Sequence, residues 1–217
     1  MKTMNFFSQI YLINLERRSD RLARWKELNS QFVPSEKLFI FQAIEPKADK
    51  LGTWKYGVGA LGCLESHLEV IKHAQNSGYE NILILEDDSV LNQTFDLDLK
   101  QCLEELPIDW DMLYLFSQHH QQASTFSTHL NKCNSTLSTV AYALNFRMYN
   151  TAIHLLGKKN KQVDVVFAHL HFLNNSFAAK TDLCSHADLF DSDITTRVPY
   201  IKKNILSRII EKIIGNS

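Results

Sequence analysis

The chain has 217 residues, of which 45% are hydrophobic and 22% charged, a composition typical of one globular domain. Lys and Arg (23) nearly balance Asp and Glu (24), which excludes a generally basic, nucleic-acid-binding surface but allows a local basic patch. The 7 glycines and 4 prolines are too few for a collagen-like or low-complexity chain.

The first strand and helix are predicted near the N-terminus. Residues 9–15 form an apolar run, and Leu22, Trp25 and Leu28 follow a basic loop at helical spacing. Further apolar runs predict strands at 38–43, 81–85, 112–116 and 139–144, and periodic segments predict helices at 61–76 and 148–156. Strands that alternate with helices in this way indicate an α/β fold with a mostly parallel sheet.

Residues 117–136 are polar and rich in Gln, His, Ser and Thr. We expect them to form a long surface loop that could move over a site.

Residues 201–217 have a different pattern, with isoleucines on one helical face and Lys202, Lys203, Arg208 and Lys212 elsewhere. This pattern predicts a basic amphipathic helix, which either lies on an anionic membrane or packs on its own domain. Both alternatives stay open.

The four cysteines are widely spaced and include no Cys-x-x-Cys pair, which argues against a zinc site, whose ligands normally come in close pairs, and against a disulfide framework. Residues 1–9 lack the apolar run of a signal peptide, and no segment approaches the roughly 20 apolar residues of a membrane span. We therefore expect a cytoplasmic protein whose reduced thiols lie mostly in the core.

The most informative segment is the buried strand that leads directly into Glu86, Asp87 and Asp88. Ligands of open α/β sheets bind at the carboxyl ends of the strands. Three adjacent carboxylates repel one another, and a bound cation is the simplest compensation. Their hard oxygens suit Mg²⁺ or Mn²⁺, which can also hold phosphate oxygens. The alternative is a solvated turn in which Asp88 caps a helix.

The same acidic segment also resembles the first strand of a phospho-signalling receiver domain. Such a domain needs a phospho-accepting Asp at the end of a later strand, and there is no Asp between Asp111 and Asp164. Two strands and a helix also precede the acidic segment here. Both facts argue against a receiver.

Four short motifs occur once each along the first half of the chain. They are residues 10–15 with Arg17, Arg18 and Arg21; residues 41–44 (FQAI); residues 59–67 (GALGCLESH); and residues 85–88 (LEDD). In order and spacing they resemble glycosyltransferase family 25, the lipooligosaccharide galactosyltransferase family. Weaker likenesses follow at residues 141–144, 163–164 and 192–194, so that the resemblance covers about residues 8–196. His186 stands where the family usually has Gln.

The resemblance implies a GT-A type nucleotide-sugar transferase fold, with a mixed, mostly parallel sheet flanked by helices. We expect one catalytic domain over residues 1–200, and the tail of 201–217 is predicted as a separate helix from its own pattern. The reaction would invert the anomeric centre, with UDP-galactose or UDP-glucose as donor and a lipooligosaccharide as acceptor. We expect no nucleic-acid partner. Any membrane contact would be peripheral, through the tail, at the inner face of the inner membrane.

The resemblance also implies roles for individual residues. Asp88 would be the main ligand of Mn²⁺ or Mg²⁺, with Glu86 and His186 as further ligands. Asp164 is the candidate catalytic base because it begins an apolar segment, although it could instead cap a helix. Asp193 is the competing base and Asp188 a weaker one. The substrate-binding set is Asn14, Leu15, Arg17, Arg18, Arg21, Ala43, Gly62, Ser66, His67, Glu86 and Asp87.

A non-enzymatic hypothesis stays open beside this one, because the second half of the chain diverges from the family pattern. The chain would then be a non-catalytic module that binds a nucleotide sugar.

Overall fold

The computed structural model describes residues 3–119 and 123–186. The predicted tail at 201–217, the domain boundary at residue 200 and the candidate bases Asp188 and Asp193 therefore lie outside the described residues.

Five α-helices and twelve short or medium strands make up the described part of the chain. The helices are α1 (Ser19–Asn29), α2 (Gly57–Asn76), α3 (Phe95–Glu105), α4 (Tyr149–Gly157) and α5 (Val163–Leu170). The strands are β1 (Gln9–Asn14), β2 (Leu38–Gln42), β3 (Asn81–Glu86), β4 (Ser89–Leu91), β5 (Met112–Tyr114), β6 (Gln118–His119), β7 (Ser124–Thr125), β8 (Leu130–Lys132), β9 (Thr136–Leu137), β10 (Ala141–Asn145), β11 (Ser176–Ala179) and β12 (Cys184–His186). Single 3-10 turns lie at Thr3–Phe6, Ser35–Lys37, Ala48–Lys50 and Phe146–Met148.

Eight strands form the main sheet in the order β2-β1-β3-β10-β5-β11-β8-β7. The neighbours β2, β1 and β3 are parallel, as are β5 and β11, whereas β10 and β8 run antiparallel to the strands beside them. Six of the eight strands consequently point the same way, so the predicted mixed and mostly parallel sheet is confirmed. Two small pairs, β4 with β12 and β6 with β9, complete the strands.

Helices cover both faces of the sheet, which explains the uninterrupted apolar run of β3. Because side chains alternate along a strand, Ile82 and Ile84 join the core cluster under α2, α4 and α5. Leu83 and Leu85 join the opposite cluster, under α1 and α3. The sheet thereby becomes a rigid support for whatever its strand ends carry.

The predicted elements mostly agree with the structure, although α2 begins four residues earlier than the predicted residue 61. Its predicted stop, Gly78, has a φ of +69°, the left-handed conformation that favours glycine after a helix. All four cysteines are free and three are buried, as expected. No helix in the described ranges combines the length and hydropathy needed to cross a membrane.

The surface loop predicted at 117–136 is interrupted by short strands in the part of the segment that the structure describes. It holds β6, β7 and β8 and the first residue of β9, and β8 pairs with β11 inside the main sheet. Two buried side chains, Leu130 and Cys133, anchor it. The segment is mostly polar and contains no apolar run, so its pattern did not predict these short strands. Backbone pairing with neighbouring strands holds them in place. Helix α3 was not predicted either, although Phe95, Leu99 and Cys102 recur at helical spacing and are buried.

Candidate functional site

The parallel register brings the ends of three strands together. Asn14 lies opposite Gln42, and Ile13 lies opposite Glu86, so the segments after β1, β2 and β3 emerge at one edge of the sheet. A cavity of about 360 Å³ opens there, within the size range of small-ligand pockets. It is lined by Ile13, Leu15, Arg17, Arg21, Ala43, Ile44, Glu45, Pro46, Val58, Gly59, Gly62, Cys63, Ser66, His67, Glu86, Asp87 and Asp88.

Most of the predicted site residues in the first half of the chain line this cavity. They are Leu15, Arg17, Arg21, Ala43, Gly62, Ser66, His67, Glu86, Asp87 and Asp88. The prediction missed Cys63 and Glu45 as lining residues. The signal for Cys63 was available, because it precedes His67 by four positions and therefore shares its helix face.

Arg21 bridges the two aspartates of the acidic segment from helix α1. Its Nη1 lies 2.9 Å from Asp87 Oδ1, and its Nη2 lies 3.0 Å from Asp88 Oδ2. The Arg21 side chain is only 8% exposed, and buried charges of this kind need partners. Burial raises the pKa of Asp87 to about 6, against the opposing charge of Arg21.

Two predicted substrate-binding residues, Asn14 and Arg18, lie outside the cavity lining. The Asn14 side chain donates from Nδ2 to Asp87 Oδ2 (2.7 Å) and to the backbone oxygen of Arg18 (3.1 Å). The Arg18 guanidinium lies 3.1 Å from Asp20 on the exposed side of the loop. Asn14 thus holds the acidic segment in place.

His186 reaches the acidic segment because β12 pairs with β4, which places it opposite Ser89. Its Nε2 lies 3.0 Å from Asp88 Oδ2. Burial opposes ionisation of Asp88, but the hydrogen bond and charge of His186, together with Arg21, outweigh it and lower the pKa of this carboxyl.

The surroundings of Asp88 fit a divalent cation. The second carboxylate oxygen, Oδ1, is buried and has no hydrogen-bond partner among the described residues. A buried acceptor without a donor is costly, and a cation would satisfy it. Carboxylate oxygen next to imidazole nitrogen is a donor set that suits Mn²⁺ or Mg²⁺ and extends to other divalent metals.

Glu86 points to the other side of the cavity, where His67 meets it. His67 Nε2 lies 3.2 Å from Glu86 Oε1, and His67 Nδ1 lies 3.0 Å from the Tyr142 hydroxyl. An ionised carboxylate only accepts hydrogen bonds, so Nε2–H donates to Glu86 while Nδ1 accepts from Tyr142. The buried Tyr142 and His67 therefore orient Glu86.

Ser66 and Gly62 shape the cavity wall. The Ser66 hydroxyl donates to the Gly62 carbonyl (2.7 Å) and accepts from the Ile44 backbone N–H (2.8 Å). A Cβ on Gly62 would lie 2.5 Å from the Ile44 carbonyl oxygen. Only glycine permits this close approach between α2 and the segment after β2.

Asp164 is the second residue of α5, and the helix N-cap is Gln162. The Oδ1 atom of Asp164 accepts a hydrogen bond from the Val165 backbone N–H (2.8 Å). Asp164 lies outside the cavity lining, yet its charge contributes, after burial and Glu86, to the raised pKa of the Cys63 thiol. Helix α5, which carries Asp164, packs against α2, which carries Cys63.

Comparison with known proteins decides the family. Residues 7–160 match the family described as "Glycosyltransferase family 25 (LPS biosynthesis protein)". The chain belongs to glycosyltransferase family 25.

Curated relatives of this family 25 chain include procollagen galactosyltransferase 2 of Mus musculus, 27% identical over 130 residues, and procollagen galactosyltransferase 1 of Danio rerio, 26% identical over 130 residues. Each match covers 50% of this chain, but only 20% of the mouse protein and 21% of the fish protein. The matched half of this chain thus corresponds to about a fifth of the length of each relative.

Among solved structures, the "crystal structure of a glycosyltransferase involved in the glycosylation of the major capsid of PBCV-1" overlaps with a TM-score of 0.46 at 11% identity. The overlap covers 70% of this chain and 67% of that one. The family assignment of this family 25 chain depends on the sequence match over residues 7–160.

Proposed function

We propose that this chain is an inverting glycosyltransferase that transfers galactose from UDP-galactose to a saccharide acceptor of the lipooligosaccharide type. The observation that carries the proposal is the cavity at the ends of β1, β2 and β3, where the basic loop and the acidic segment meet. The family description supports the lipooligosaccharide acceptor, and the names of the relatives support galactose.

Arg17 is the residue that we propose for the diphosphate of the donor. It lines the cavity, and its Nε lies 2.7 Å from Glu45 Oε1, with both side chains 51% exposed. Exposed ion pairs are weak, so a diphosphate can replace Glu45 at little cost. Arg21 instead holds the acidic segment, because it is buried against both aspartates.

Asp88 and His186 would hold the divalent cation, with Glu86 turned toward the donor ribose or sugar. The chemistry that such an ion supplies is stabilisation of the negative charge that builds on the diphosphate leaving group.

Inversion requires a single in-line displacement at the anomeric carbon. The acceptor hydroxyl oxygen forms the new bond to that carbon while the bond to the UDP oxygen breaks, and a carboxylate takes the hydroxyl proton. We propose Asp164 for this proton transfer because it is half-buried at the start of α5, a helix that packs against the cavity-lining helix α2. Asp193 is the competing candidate, outside the described residues.

A donor screen tests the proposed function. The protein is incubated with Mn²⁺ and either UDP-galactose, UDP-glucose or UDP-N-acetylglucosamine, and UDP release and thermal unfolding are followed. We expect UDP-galactose to stabilise the protein most and to be hydrolysed slowly without acceptor, and EDTA to abolish both effects. Equal responses to all three donors would contradict the galactose assignment. Donor binding without any turnover, even with acceptor, would favour a non-catalytic module.

The base assignment has its own test. Asp164→Asn should keep UDP affinity but lose turnover by about 100-fold or more, the usual contribution of a general base. Asp109→Asn, at an exposed position in the loop before β5 and outside the cavity lining, is the control. Full turnover in Asp164→Asn together with loss in Asp193→Asn would move the base to Asp193.

A further inference from the structure

Three side chains of different chemistry converge on one wall of the cavity. Cys63 and His67 are four residues apart on α2, and Glu86 ends β3 opposite them. The ligand atoms of Cys63, His67 and Glu86 all lie within 4.8 Å of one another, and this is the one such group found in residues 3–119 and 123–186. The spacing of the four cysteines argued against a zinc site, but spacing along the chain takes no account of one cysteine that the fold brings together with a histidine and a glutamate.

Its donor set differs from that of Asp88. A thiolate, an imidazole and a carboxylate together favour borderline-soft cations such as Zn²⁺, whereas the oxygen donors at Asp88 suit Mg²⁺ or Mn²⁺. Three protein ligands with room for one more are also the usual arrangement of an open zinc site. The cavity beside Cys63 and Glu86 supplies that open position.

The support behind His67 is of the kind found behind metal-bound histidines. Its second ring nitrogen, Nδ1, lies 3.0 Å from the Tyr142 hydroxyl, and Tyr142 is fully buried on β10. Such outer partners fix the orientation of a ligating imidazole. When a cation takes Nε2, the ring proton resides on Nδ1 and is donated to the Tyr142 oxygen, while the Cys63 thiol proton goes to solvent.

We infer that Cys63, His67 and Glu86 form a binding site for a thiophilic divalent cation of the Zn²⁺ class, separate from the Asp88 centre. The site requires no donor or acceptor substrate. Its consequence for catalysis, which depends on the proposed function, is inhibition: the bound ion would occupy the cavity wall and withdraw Glu86 from the donor.

Cobalt titration tests the site directly, because a thiolate bound to Co²⁺ produces a charge-transfer absorption in the near ultraviolet. The wild-type protein is titrated with Co²⁺ alone, without nucleotide sugar. We expect the band to appear, to be displaced by Zn²⁺ and to resist an excess of Mg²⁺. Cys63→Ser should abolish the band and weaken Co²⁺ binding by at least about tenfold, a loss seen even when an outer partner is removed.

Cys102→Ala is the matched control, since Cys102 is buried on α3 and contacts the His129 backbone oxygen instead. It should keep the band, whereas His67→Gln should weaken Co²⁺ binding as Cys63→Ser does, and thermal unfolding confirms that each variant folds. No band in the wild-type protein, or an unchanged band in Cys63→Ser, would overturn the inference. If the band behaves as expected but no sugar nucleotide is turned over, the proposed function fails and the cation site stands.

Discussion

The two halves of the sheet treat buried polar groups differently. At the ends of β1 and β3, Asp87, Asp88 and Arg21 are charged groups held together in a nearly dry environment. On the side of β5, β8 and β11, His171, which follows α5, is equally buried, but its ring is neutral. Its Nδ1 accepts a hydrogen bond from the Thr136 backbone N–H (3.2 Å), and its Nε2 lies 3.0 Å from the Tyr114 hydroxyl.

The difference shows where the fold uses charge. Burial lowers the pKa of His171 to about 3, so the ring stays neutral at physiological pH. Asp88, by contrast, has a lowered pKa because His186 and Arg21 outweigh its burial. Among the described residues, the buried Arg and Asp side chains, Arg21, Asp87 and Asp88, all lie beside the cavity, where a ligand can use their charge. His171 is instead stabilised as a neutral ring by hydrogen bonds and packing.

The largest effect should come from Asp88. Asp88→Asn keeps the side-chain shape but removes the charge, so we expect transfer and Mn²⁺-dependent donor binding to fall by about a thousandfold, several kcal/mol of charge stabilisation. Asp20→Asn, an exposed partner of Arg18, is the control and should have wild-type rates. Steady-state rates with and without EDTA measure both. Activity of Asp88→Asn near the wild-type level would remove Asp88 from the metal site.

Replacing Arg21 should destabilise the folded protein, because it breaks the buried charge cluster at the strand ends. Arg21→Leu leaves two buried carboxylates without their cation, and we expect a loss of about 3–5 kcal/mol in the free energy of unfolding. Arg24→Leu, which breaks only the exposed Arg24–Glu27 pair, should change it by less than about 1 kcal/mol. Urea denaturation of the two variants decides. Similar losses in both would mean that the Arg21 bridge contributes no more than a surface pair.

A smaller loss of stability should follow from adding a methyl group to the cavity wall at Gly62. In Gly62→Ala the new Cβ meets the Ile44 carbonyl oxygen at 2.5 Å, and we expect about 1–3 kcal/mol of destabilisation together with weaker donor binding. Gly157→Ala, where nothing lies within 4 Å of the added Cβ, should be neutral or slightly stabilising. Thermal unfolding and donor titration test both variants, and equal behaviour would contradict the tight contact.

The buried neutral His171 should make the stability of the protein depend on pH in the acid range. Because the His171 pKa is about 3 in the folded chain and ordinarily 6.5, the unfolded chain binds the extra proton between these values. Stability should therefore fall as the pH drops below 6.5, by at most about 1.4 kcal/mol per unit from this residue.

His171→Gln should flatten this part of the pH dependence, whereas His154→Gln, at an exposed position on α4, should not. Urea denaturation between pH 7 and pH 5 measures the slopes. A slope in His171→Gln equal to that of the wild type would show that His171 titrates normally.

Part of the site was predictable because its residues follow strands directly. An apolar run that ends in Glu86, Asp87 and Asp88 predicts both the strand and the place of its ligands, since parallel strands end at one edge. The partners of these acids were not predictable. Arg21 and Asn14 were expected among the substrate-binding residues, and no sequence pattern indicated that Arg21 is buried against Asp87 and Asp88 or that Asn14 donates to Asp87.

The near-neutral net charge of the chain is an average over unlike regions, such as the basic loop with Arg17, Arg18 and Arg21 and the acidic segment at 86–88. The sequence by itself determined the family, the alternation of strands and helices and the acidic segment, because these depend on local order and hydrophobic period. Only the tertiary structure decided which charges meet, that β8 joins the sheet, and that Cys63, His67 and Glu86 share a wall. Those facts depend on strand register and helix packing between residues far apart in the chain, which local patterns do not encode.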